Sequence, residues 1–200
     1  MEKQKGNEAE YRKQLEKALD LDAESVNVLI ECYRLPATTP ESKKFHEQMV
    51  RKIEKAVLTL RTYARNRSHY SSPYKPAGAD SVESACLMAR LILETEGDLN
   101  LATTTLKETL DAHLRQNAIN KITTVHRAID FLARCYYKKG DVEKAVPYAR
   151  KAMETAPHDK QIQKTWDRVS EAYEKKTGKR PEPPKSGTER FRMLVGLESE

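Results

Sequence analysis

The chain has 200 residues, 38% of them apolar and 33% charged, enough to bury one continuous core without disulfides or metal. Only 7 Gly and 9 Pro argue against a collagen-like chain or a loop-rich β-sandwich, and no run of about 18 apolar residues exists from which a membrane-crossing helix is built. A net charge of +6 comes from 36 basic and 30 acidic side chains that interleave along the sequence, the pattern of solvated helix faces, while acidic proteins, nucleic acid and anionic membranes stay open as partners.

Apolar residues recur at helical spacing nearly everywhere. A first helix is expected over about 7–20, with Tyr11, Leu15, Ala18 and Leu19 on one face. Asp22 then reads as the cap of a second helix carrying Val26, Leu29, Ile30 and Tyr33. Leu35-Pro36 and Thr39-Pro40 break it, and a longer helix follows over about 41–66 with Phe45, Met49, Ile53, Val57 and Leu60 in line. RSHYSSPYKPAGAD, 67–80, reads as a loop, and helices resume at about 81–96, 99–115, 118–139, 141–155 and 159–177. Residues 178–188, which include KRPEPPKSG, form a Pro-rich linker, and 189–200 a short amphipathic segment with Phe191, Met193, Leu194, Val195 and Leu197. Short connections between so many helices give an all-α class, with residues 1–177 as one helical domain.

The opening MEKQKGNEAEYRKQ has no apolar stretch of leader type. Cys32, Cys86 and Cys135 are far apart, with no CxxC pair and no His at ligand spacing. Scattered thiols fit a reducing compartment and buried small side chains, so a cytoplasmic location without membrane insertion is expected. There is no nucleophile elbow, phosphate-cradling glycine loop or HExxH, and His46, His69, His113, His126 and His158 are dispersed. The chain is expected to be no enzyme and to need no cofactor or metal.

The stretch HRAIDFLARCYYKKGDVEKAVPYARKAMETAPHD, 126–159, resembles a tetratricopeptide repeat along its length. Leu132-Ala133 and Tyr136 match the large-small pair and aromatic of the first repeat helix, Gly140-Asp141 the turn, Ala145 and Ala152 the small positions of the second, and Pro157 its end. Small residues let two antiparallel helices approach, a glycine accepts the left-handed conformation that ends a helix, and an aspartate caps the next. Ile129 and Ala149 depart from the usual large aromatics. Gly97-Asp98 with Ala102 repeats the turn spacing more weakly, and KALDLDAES, 17–25, reads like the end of a second repeat helix. The resemblance implies a short right-handed α-solenoid of helical hairpins, capped by the helix 159–177 through Ile162, Trp166, Val169 and Tyr173, with Lys164, Asp167, Arg168 and Glu171 on the outer side.

Such arrays bind partners on a concave face. The resemblance places its groove positions on Arg127, Asp130, Arg134, Tyr137 and Lys138, and on Leu87 and Leu91 in the preceding hairpin. Arg127, Arg134 and Lys138 share one helical stripe that suits a carboxylate. The expected role is a protein-interaction module, an adaptor, scaffold or chaperone-like holder of a peptide or helix. An alternative is RNA binding by the segment 61–75, where Arg61, Arg65, Arg67 and Lys75 alternate with Tyr63, Tyr70 and Tyr74, because tyrosine rings stack bases while basic groups neutralise phosphate. The apolar segment 189–197 needs cover and is expected to dock near Leu87 and Leu91 as a short helix, in its own chain or in a second copy as a homodimer.

Overall fold

A computed structural model describes residues 2–22, 25–65, 81–115 and 122–184. Among these residues there are eight helices and no strand: α1 (Glu2–Leu21), α2 (Val26–Arg34), α3 (Pro40–Arg65), α4 (Ser81–Glu94), α5 (Leu99–Arg115), α6 (Ile122–Lys138), α7 (Val142–Thr155) and α8 (Lys160–Thr177). The all-α class is as expected, and the boundaries fall within a few residues of the sequence reading except that α1 begins at Glu2.

Local chemistry explains most of the ends. Thr39 and Ser42 form a reciprocal cap, the Ser42 amide donating to Thr39 Oγ1 at 3.1 Å and the Thr39 amide to Ser42 Oγ at 2.8 Å. Pro40, expected as a breaker, is the first residue of α3, where its missing N–H leaves nothing unsatisfied. Ser25, not Asp22, stands at the N-cap of α2. Gly140 is left-handed with φ +78° and ends α6 as expected. Asp141 follows too closely to cap: its side chain takes no amide of α7 and instead holds Lys144 at 2.8 Å.

The weaker Gly97-Asp98 turn departs in an informative way. Its left-handed residue is Glu96, φ +56°, and not Gly97. In both turns the third residue after the helix donates back to the fifth residue before it, Asp141 to Tyr136 and Gly97 to Ile92, each at 2.9 Å. The extra residue lets Asp98 do what Asp141 does not: its Oδ1 accepts from the amides of Asn100 and Leu101 at 2.8 and 3.2 Å.

Packing is that of a hairpin array. α2, α4, α6 and α8 touch in succession, and α3, α5 and α7 pair with them as hairpin partners while also contacting the next helix along. α1 packs on α2 as α3 packs on α4, which gives it the place of a second repeat helix. Ala133 of α6 and Ala145 and Ala152 of α7 are fully buried, as is Leu132, and Tyr136 stacks on Tyr148 of α7 at 5.5 Å with Lys107 of α5 over its ring at 5.3 Å. Cys32, Cys86 and Cys135 are buried, and desolvation pushes the Cys32 thiol up to about 11 and Cys135 to about 12. Ile162 and Val169 of α8 are buried, with Trp166 and Tyr173 packed against the core. The first part of the expected linker is not free in solvent: Pro181 is buried, and Glu182 reaches Arg150 of α7 at 3.2 Å. No described helix is long and apolar enough to cross a membrane.

Candidate partner-binding groove

The row α2–α4–α6–α8 carries a shallow groove built by three of its members. Leu93 and Glu94 come from the end of α4, Arg134, Tyr137 and Lys138 from the end of α6, and Gln161, Thr165, Arg168 and Val169 from α8. Its volume of about 210 Å³ is below the range of about 300–1,000 Å³ that encloses a small-molecule ligand. An open depression of this size takes one or two side chains of a larger partner.

Its electrostatics are lopsided. Three cations, Arg134, Lys138 and Arg168, face one carboxylate, Glu94. Glu94 is divided between two neighbours: Arg34 of α2 donates to it at 2.8 Å, while Arg134 of α6 stands 3.5 Å away. Lys138 donates to the Leu93 carbonyl at 2.7 Å, satisfying an acceptor that the end of α4 leaves without a helical partner, and lies 3.9 Å from Glu96. Arg134 also lies over the Phe131 ring at 5.0 Å. Arg168 is exposed and has no ion pair among the described residues. Tyr137 is 39% exposed, one of the few large apolar side chains left open to solvent.

Beneath the groove lies Asp130, 4% exposed, with Oδ1 buried and without a hydrogen-bond partner among the described residues. Burial raises its carboxyl to about 6, although a hydrogen bond from Thr165 and the charge of Arg134 pull the other way.

Three expected groove residues are therefore brought together, Arg134, Tyr137 and Lys138. Four are not. Asp130 lies under the surface, and Leu91 is fully buried in the core and presents nothing to a partner. Leu87 is half-buried and packed against the core, and Arg127 is exposed but outside the groove, two turns before Arg134. The error in α4 is one of register. Matching Glu96, the left-handed residue, to Gly140 sets Leu93 and Glu94 opposite Tyr137 and Lys138, one residue away from an alignment based on glycine. Gln161 and Thr165 were missed because α8 read as a cap alone, and Arg168, expected on the outer side of that cap, lines the groove instead, although Gln161 and Arg168 stand one repeat length after Arg127 and Arg134.

The basic, tyrosine-rich segment is only partly described. Arg65 forks onto Glu108 of α5 through Nε at 3.1 Å and Nη2 at 2.9 Å, and Arg61 and Tyr63 are half-buried on α3. Arg67, Tyr70, Tyr74 and Lys75 lie outside the described residues, as does the segment 189–200.

Residues 126–159 match the family model of the tetratricopeptide repeat. No curated protein and no solved structure matches the chain. The hairpin α6–α7 is thus one clear tetratricopeptide repeat, set in an all-helical array that continues on both sides of it.

Proposed function

We propose that the chain is an adaptor or scaffold whose α4–α6–α8 groove takes an extended, acidic and apolar peptide from a partner protein. Tetratricopeptide repeats are in general protein-interaction modules, and the hairpin α6–α7 is one. The observation that carries the reading is the meeting of Arg134, Lys138 and Arg168, from neighbouring helices of the row, beside the open Tyr137 ring, with Glu94 in the lining and Glu96 3.9 Å from Lys138. Guanidinium groups bind carboxylates by paired, charge-assisted hydrogen bonds, and an aromatic ring gives large contact area at little entropic loss.

Selection from a displayed random-peptide library tests this. Enriched sequences should combine Asp or Glu with an apolar residue two or three positions away. Arg168→Glu should weaken the best of them about ten-fold or more, as expected for loss of a charge-assisted contact and its reversal. Tyr137→Ala should weaken it further, with the helical circular-dichroism signal unchanged in both. Peptides without acidic enrichment, or indifferent to Arg168→Glu, would remove the groove from the mechanism.

A further inference from the structure

Residues 185–200 lie beyond the described structure, and their sequence is complementary to the groove. Phe191, Met193, Val195 and Leu197 alternate with Arg192, Leu194, Gly196 and Glu198, so an extended segment turns four apolar side chains to one side. Glu198 and Glu200 follow. The groove offers the open Tyr137 ring above the buried Leu93 for apolar contact, and three cations beside the two carboxylates of Glu94 and Glu96. Left in solvent, such an apolar run would be an aggregation liability.

The chain can reach. Glu182 is held by Arg150 at 3.2 Å, and α7, which carries Arg150, packs directly on both α6 and α8. From Pro184, seven further residues lead to Phe191, up to about 24 Å of extended chain. The layer formed by α6 and α8, roughly 10 Å deep, is what the segment has to pass from α7. A tether this short also gives the segment an effective concentration on the order of millimolar at its own groove, well above that of a second copy in dilute solution.

We propose that residues 191–200 occupy the α4–α6–α8 groove of their own chain, with the acidic side chains of Glu198 and Glu200 at Arg134 and Arg168. A partner peptide for the same groove then has to compete with the segment. This rests on the groove being the partner site, and it corrects the expected docking position, since Leu91 is buried in the core.

The test uses the full chain with a benzoylphenylalanine photo-cross-linker in place of Phe191. Irradiation should yield monomeric cross-links to peptides containing Tyr137–Lys138 or Gln161–Val169, and Arg168→Glu should lower their yield about ten-fold. Cross-links confined to other helices, or found only between two copies, would overturn the proposal. A second measurement titrates the best library peptide onto the wild-type chain and onto Phe191→Glu/Val195→Glu. Tighter binding by the variant supports a competing tail; equal binding overturns it while leaving the groove as a partner site. If neither chain binds the peptide yet the cross-links map to the groove, the tail contact stands and the partner reading fails.

Discussion

Asp130 is a buried carboxyl group raised to about 6, and its titration sets a measurable sign. In the unfolded chain an aspartate ionises near pH 4, so between about pH 4 and 6 the folded state holds a proton that the unfolded state has lost. Stability from this group is therefore greatest on the acid side of that window and declines as pH rises through about 6. A displacement of about two units corresponds to at most about 3 kcal/mol. Asp130→Asn, which carries no charge at any pH, should flatten the decline between about pH 4 and 6.5 in urea melts. An equally steep decline in the variant would assign it to other groups. Glu96 carries backbone strain of its own, with φ +56°. A non-glycine residue held left-handed costs about 1 kcal/mol, so Glu96→Gly should raise the unfolding free energy by about that amount, less whatever the 3.9 Å pairing with Lys138 contributes. An unchanged denaturation midpoint would mean that the left-handed turn carries no such cost.

At the level of elements, the α6–α7 hairpin depends on small residues at its crossing. Ala145 is fully buried, and Ala145→Leu should overpack its surroundings and cost about 1–3 kcal/mol in a chemical melt. No loss would place Ala145 away from the crossing. This hairpin was legible in the sequence because its signals are short-range: alanines at fixed spacing, an aromatic between repeats, a glycine at the left-handed position. The α4–α5 turn was misread because the glycine there is not the left-handed residue, and a one-residue shift turned the side chains at Leu87 and Leu91 away from the groove. Arg168 was hidden for a different reason. Whether an exposed arginine faces bulk water or a groove depends on what the neighbouring helix places beside it, and that contact spans the distance from α6 to α8. Asp141 shows the same limit at short range, since its cap was lost to a turn one residue shorter than that before Asp98.

Across the whole molecule each hairpin is stabilised by its neighbours, so interior elements should be the last to open. α4 and α6 contact helices on both sides, whereas α1 packs on α2 at the start of the row. Amide hydrogen exchange should show the slowest rates in α4, α6 and α7 and the fastest among the helices in α1; uniform protection would indicate a single cooperative unit instead. The row also has an electrostatic coupling across three helices, since Glu94 contacts Arg34 and Arg134 at 2.8 and 3.5 Å. A carboxylate shared unequally in this way makes ligand exchange easy. An incoming acid that takes Arg134 strands no charge, because Glu94 already leans on Arg34 and only has to complete that move. If the groove takes an acidic partner as proposed, its own anion would act as a place-holder, beside Arg134 at 3.5 Å while the site is empty and left with Arg34 at 2.8 Å when it fills.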